Sequence, residues 1–412
     1  MLQSSPQETT NPQKRKKKKV LVFYRHFGFT LGGGEYLPLT FISELQKSCD
    51  VILALNWTSH FERAVRLFGI RIDLERLKLV QVMPKWYHGT NNGILLSFYR
   101  FCRLKRLAKE ADVCISLANI MDFGKPAHHF LITIDLGDEA FQDYIKSHAR
   151  SKKVPLAKRI RLFLMNRCLR PLLGMRTKKS IICDSREHIY PNSIFAENLL
   201  RGFYGSFNCK VFYPPTVFEF LRKDVPRDSY LVVYLGRISP AKRIVDIIEI
   251  VDRARILSGV DIRLSLAGHL GSAQFKKALS QLTGGKEWIV FPGEVYGEEK
   301  ERFLLSGSFA IHAMREEAFG ISITEYLKAG IIPIVPDAGG SMEVVDNPSL
   351  TYHDKEDAAR ILTRLLQDES FRLAQRKLCA ERAKFFSMES YMERQKKVLD
   401  EILSNVDIQE GK

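Results

Sequence analysis

The chain has 412 residues, 45% hydrophobic and 27% charged, which excludes an intrinsically disordered protein and allows one large or two ordinary domains. Its 63 Lys and Arg against 47 acids give a formal net charge of +16, favouring an anionic partner: a phosphate-bearing ligand, a nucleic acid or a membrane surface. No run reaches the ~18 uninterrupted apolar residues of a membrane span, and the seven cysteines, odd in number and never closely paired, point to a reducing compartment without a structural metal.

Residues 1–18 begin polar and end in the basic run "KRKKKK", without the apolar core of a signal peptide, and read as a disordered basic tail. From residue 19 onward, "KVLVFY", "VILALN", "KLVQVM", "ADVCISL", "HFLITID" and "SIICDS" are near-continuous apolar runs separated by helical patterns. Central parallel strands need such runs because helices cover both faces of their sheet, so 19–212 reads as one doubly wound α/β domain. Inside it, "FGFTLGGGEYLPL" leaves the first strand through a glycine run and enters a helix. The order differs from the dinucleotide fingerprint, and Gly33 and Gly34 suit either a close backbone approach to a ligand or a flexible turn. His128 and His129 open a strand and read as structural. The segment 148–179 sets Leu162, Phe163, Leu164, Leu169, Leu172 and Leu173 among many Lys and Arg, a pattern suited to an anionic membrane surface or to a core-facing helix with a solvated basic face.

"VFYPPTVF" then interrupts the alternation, since two prolines remove two backbone donors and hold the chain extended; 213–228 reads as a linker. Strands resume at "YLVVYLG", "IRLSLAG", "WIVFPG", "FAIHAM" and "IIPIVPD", making 229–385 a second α/β domain, and 386–408 reads as an amphipathic helix beyond it. Two such sheets face a cleft beyond the carboxyl ends of their strands.

Three stretches of the second domain carry candidate chemistry. "YLGRISPAKR" places Arg237 and Lys242 around a turn at Gly236, within reach of one anion. "REEAFGISITEYLKAG" places Glu317 in a turn and Glu325 in a helix that begins near Gly320, whose unpaired N–H groups suit a phosphate. The two carboxylates are on the order of 10 Å apart, too wide for a proton-sharing dyad and suited to holding hydroxyls at opposite ends of one ligand. "PDAGGSMEVV" adds a glycine turn expected to line the same cleft.

Taken in order, the glycine loop, "YPP", "GRISPAK", Glu317-x7-Glu325 with "FGI" between, and "GG" after "PDA" resemble the GT-B-fold retaining glycosyltransferases of family 4 over nearly the whole chain. The "H-x-M-x-x-E-x-F-G-I" run and "GGGE" are most similar to the dolichol-pathway α-1,2-mannosyltransferases, over short segments only. The resemblance implies two Rossmann-like domains: an acceptor-side domain at 19–212, a donor-binding one at 229–385, and the 386–408 helix packing back toward the first. It implies that Arg237 and Lys242 hold the donor diphosphate and stabilise the leaving group, that Glu317 binds donor sugar hydroxyls, that Glu325 binds the ribose, and that Phe319, Gly320 and Ile321 line the sugar and phosphate subsite with their backbone. Gly33 and Gly34 join the donor-binding set. Where such enzymes often carry a histidine, this chain has Asp135 and Asp138, so acceptor contacts do not carry over.

The implied activity is metal-independent, retaining transfer of a hexose, with mannose from GDP-mannose one candidate, from a GDP- or UDP-linked donor to a glycan acceptor that is lipid-linked in one version and soluble or polysaccharide in another. No cofactor beyond the donor is expected. The expected location is cytoplasmic, peripheral on the cytoplasmic face of a membrane. The basic tail raises a nucleic-acid-binding alternative, but no nucleic-acid motif accompanies it and no nucleic-acid partner is expected.

Overall fold

A computed structural model describes residues 17–28, 33–87, 93–134, 141, 164, 168–222 and 224–410. The first sheet contains β1 (Lys19–Tyr24), β2 (Asp50–Leu55), β3 (Lys78–Gln81), β4 (Val113–Ser116), β5 (His128–Phe130) and β6 (His188–Tyr190), all parallel, in the order β3-β2-β1-β4-β5-β6. The second contains β7 (Leu231–Leu235), β8 (Arg263–Ala267), β9 (Ile289–Gly293), β10 (Phe309–Ile311), β11 (Ile332–Pro336) and β12 (Thr351–Tyr352), in the order β12-β11-β10-β7-β8-β9. Both sheets share one doubly wound order, in which the strand sequence reverses beside the first strand and opens a ligand crevice at the carboxyl ends. β1, β2, β4 and β11 are almost wholly buried, which is why their sequences are continuous apolar runs rather than alternating ones.

Two expected strands are corrected. "SIICDS" is helical: Lys178–Ile182 forms a short helix whose N-cap Thr177 accepts from Ser180 N, burying Ile181 and Ile182 on one side. The sixth strand is instead "HIY", three residues long and too short to show a period. "HFLITID" is a strand only through Phe130. Beyond it the Asn119 side-chain oxygen accepts from Ile132 N (2.9 Å) and Thr133 N (3.3 Å), diverting donors that would continue the ladder. β12, two residues long, carries no pattern legible in the sequence.

Five helices matter for the site: α1 (Gly33–Leu45), α2 (Ile194–Tyr204), α3 (Gly297–Ser306), α4 (Ile321–Lys328) and α5 (Gly339–Val345). A last helix, α6 (Met388–Glu410), follows the second sheet but buries Tyr391, Val398, Leu399 and Ile402 in the first sheet's core. The Tyr391 hydroxyl lies 3.2 Å from Thr40 Oγ1, and Gln395 Nε2 donates to the same oxygen at 3.1 Å. Among the described residues no helix is long and apolar enough to cross a membrane.

Candidate functional site

β10 ends at Ile311, and the chain turns through Arg315–Phe319 before α4 begins. Gly320 is the N-cap of α4 with φ of 95°, a left-handed conformation that side chains disfavour, and an added Cβ would lie 2.7 Å from Ile323 Cδ1. The turn is clamped from behind: Gly340 N donates to Glu317 O at 2.7 Å, and a Cβ on Gly340 would stand 2.2 Å from Ala318 O. The glycine pair of "PDAGG" was expected to line the cleft. It supports the Glu317 turn instead, because only a residue without Cβ lets α5 approach that backbone. From α5, Glu343 reaches across to the first half of the chain, accepting from Ile194 N at 2.9 Å and Phe195 N at 3.3 Å at the start of α2 and from the Tyr213 hydroxyl.

A cleft of about 600 Å³ lies between the carboxyl ends of the two sheets. Leu37, Phe130–Ile134, Tyr190 and Asn192 line it from the first sheet's side, Pro214 and Pro215 from the connection, and Arg237, Lys242, Lys300, Glu317 to Ser322 and Glu325 from the second. Seven of the nine residues singled out from the sequence thus meet here: Arg237, Lys242, Glu317, Phe319, Gly320, Ile321 and Glu325. Gly33 and Gly34 are the first two residues of α1, whose Leu37 faces the cleft; residues 29–32 before them lie outside the described residues.

The two carboxylates are held in opposite ways. Lys242 Nζ donates to Glu317 Oε2, and His312 Nε2 lies 3.3 Å from the same oxygen, too poorly aligned for a hydrogen bond. Burial pushes the Glu317 carboxyl up, but His312 and Lys242 together outweigh it and hold the group down at about 2. Glu325 is more deeply buried, and desolvation raises its pKa against the opposing pull of Lys300, whose Nζ donates to Oε1 at 2.7 Å. Lys300 also sits over the Phe218 ring at 4.5 Å. Arg237 is exposed at the mouth and has no ion pair among the described residues. The cleft therefore combines an ionised acid, a desolvated acid, three cations and a helix N-terminus, a set able to hold a polyhydroxylated diphosphate.

Nothing local in the sequence marks Lys300, which reads as one charge on the solvated face of "GEEKERF". His312 does carry a signal, its place at a buried strand end five residues before Glu317. His129 is buried against Glu187 at 2.9 Å, remote in role from the cleft. Asp135 and Asp138 lie outside the described residues, as do 148–163 and 165–167 of the basic amphipathic segment; among its described residues Leu164, Leu169 and Leu172 are exposed.

Residues 218–384 match the family of glycosyl transferases group 1. Over 166 residues the chain is 28% identical to the GDP-Man:Man(3)GlcNAc(2)-PP-Dol alpha-1,2-mannosyltransferase of Candida glabrata, covering 37% of this chain and 33% of that protein. The Homo sapiens protein of the same name is 24% identical over 199 residues, 42% of this chain and 40% of that one. The matched segments thus span less than half the length of these relatives. Among solved structures, Anabaena HepE in complex with UDP and glucose superposes with a TM-score of 0.60 at 15% identity, covering 93% of this chain and all of that one. The chain therefore has the GT-B fold, its residues 218–384 match the glycosyl transferases group 1, and part of it is similar to the GDP-Man:Man(3)GlcNAc(2)-PP-Dol alpha-1,2-mannosyltransferases.

Proposed function

We propose that the protein transfers a hexose from a sugar nucleotide to a glycan acceptor with retention of anomeric configuration, the segment 229–385 binding the donor, 19–212 the acceptor and 213–228 joining them. The observation that carries this reading is the convergence of Arg237, Lys242, Glu317, Glu325 and the start of α4 on one cleft. Arg237 and Lys242 hold the donor diphosphate. As the bond from the sugar to that diphosphate breaks and the acceptor hydroxyl takes its place, their charge and the N–H groups at Phe319, Gly320 and Ile321 stabilise what leaves. Glu317, firmly ionised, accepts from sugar hydroxyls, and Glu325 accepts from the ribose. The positive groups supply the stabilisation that a metal gives elsewhere, so the transfer is metal-independent.

Mannose from GDP-mannose is the favoured donor, supported by the names of the two relatives; a UDP-linked donor is the second reading, supported by the nucleotide bound to HepE. A lipid-linked acceptor at the cytoplasmic membrane face is supported by the relatives' dolichol-linked substrate and by the basic excess. Thermal shift against a panel of sugar nucleotides identifies the donor, because a ligand that binds the native state raises its stability. A transfer assay then tests the site: Glu317→Gln and Arg237→Ala are each expected to lower kcat/KM at least about 100-fold. Unchanged transfer in both variants overturns the assignment.

A further inference from the structure

Ser193, Ile194 and Phe195 follow β6, the outer strand of the first sheet, and open α2. A helix leaves its first N–H groups without partners of its own, and here two halves of the chain share them. Ser193 Oγ accepts from Ala196 N at 3.0 Å, an ordinary local cap. Ile194 N and Phe195 N instead donate to the Glu343 carboxylate, at 2.9 and 3.3 Å, which comes from α5 in the second half. The positive end of the helix dipole favours an acid at that place. The Tyr213 hydroxyl, from the connection between the halves, donates to the same carboxylate.

The Ser193 hydroxyl has one proton and sends it the other way, to Ala318 O in the turn that carries Glu317; its other acceptor, Asn192 Oδ1, stands at 3.5 Å, the outer limit of a hydrogen bond. Ser193 is fully buried, so water does not replace that bond. Glu343 reaches the same turn through its own helix, because Gly340, three residues earlier, donates its N–H to Glu317 O at 2.7 Å. Two consecutive carbonyls of the turn are thus held, Ala318 O directly from the first half and Glu317 O by a helix that is tied to it. The Tyr213 ring lies against Phe319 in the same turn, 6.3 Å between centroids. Parting the halves strands two N–H groups of α2, the buried serine hydroxyl and one turn carbonyl together, so the contact breaks as a unit. Neither Ser193 nor Glu343 lines the cleft.

We infer that Ser193 and Glu343 are positioning residues that tie the approach of the two halves to the placement of Glu317, so that the subsite around Glu317 is complete only when the cleft is closed. The link to sugar transfer rests on the function proposed above; the coupling between the halves does not. The test uses the full chain. Glycine caps a helix nearly as well as serine, so Ser193→Gly removes the bond to Ala318 and largely spares α2. Without ligand, the Gly340 amide, which lies in the other half and has no bond to Ser193, is expected to exchange with deuterium at least about fivefold faster. A rate within about twofold of the parent's overturns the coupling. Glu343→Gln keeps the size and loses the charge, and it keeps the test readable if Ser193→Gly fails to fold. Its exchange is read at Ile194 and Phe195, expected to speed up by the same factor, and parental rates at both overturn the cross-half cap. In a transfer assay with the sugar nucleotide that thermal shift identifies, Glu343→Gln is expected to lower kcat about tenfold and to leave donor KM within about threefold, because the groups that grip the nucleotide stay in place. Ser193→Thr, which keeps both the cap and the donor, is expected to retain the parent's values. A parental kcat in Glu343→Gln marks a contact that adds stability alone and overturns the positioning role. If the parent turns over no sugar nucleotide while Ser193→Gly still speeds exchange at Gly340, the proposed transferase function fails and the coupling stands.

Discussion

Gly340→Ala tests whether the Glu317 turn is held by backbone proximity rather than by its own sequence. The new Cβ would stand 2.2 Å from Ala318 O, 2.7 Å from Ala318 C and 2.9 Å from Phe319 Cα, where ordinary contact begins at 3.4 Å, so about 1.2 Å must be found at the closest pair. All three atoms are backbone, so no rotamer change relieves the clash; either α5 or the turn moves. Gly340 N also donates to Glu317 O, and Ser193 Oγ donates to Ala318 O, so displacement loosens bonds on both sides of the turn. Overpacking of this kind costs about 1–3 kcal/mol of stability, and a 1 Å misplacement of a catalytic group lowers turnover about 100-fold. Urea unfolding and a sugar-transfer assay on the same preparation measure both effects. A variant whose transfer rate stays within twofold of the parent's would refute the clamp, whatever its stability.

Three further outcomes follow from the cleft and the core. Glu317 has its folded pKa depressed to about 2 from an ordinary 4.5, so its contribution is fully present above pH ~4.5 and is lost as pH falls toward 2; Glu317→Gln should remove on the order of 3 kcal/mol at neutral pH and much less near pH 3, read from urea midpoints across that range. Lys300→Met removes the group that opposes the upward push on Glu325, so the carboxyl titrates higher still, and donor KM should rise most on the acid side of neutrality while Lys300→Arg largely restores it; a KM increase that does not vary with pH counts against this. Leu399→Ala, in a helix that follows the second sheet, should destabilise by about 2–4 kcal/mol through the first sheet's core, and amide exchange should show the loss in β1 and β2 rather than in β7 and β8.

The fold was legible where burial leaves a local mark. Strands covered on both faces must be apolar throughout, so β1, β2, β4 and β11 stand out as runs, whereas "SIICDS" has the same composition and becomes a helix because Thr177 caps it and the next strand follows within a few residues. The site divides in the same way. Glu317, Gly320 and Glu325 sit on one turn and one helix, close enough in sequence to reach one cleft. Their partners come from elsewhere: Lys242 from the turn after β7, His312 from the end of β10, Lys300 from α3. Which cation meets which acid depends on β10 lying beside β7 in the sheet, a consequence of strand order that no local pattern encodes. The ionisation of the two acids follows from those pairings. Spacing alone makes Glu317 and Glu325 equivalent carboxylates, yet His312 and Lys242 beside one and deeper burial around the other push them in opposite directions. A substitution at Lys242 or Lys300 therefore changes the chemistry of an acid 75 or 25 residues away while leaving the spacing of the motif intact.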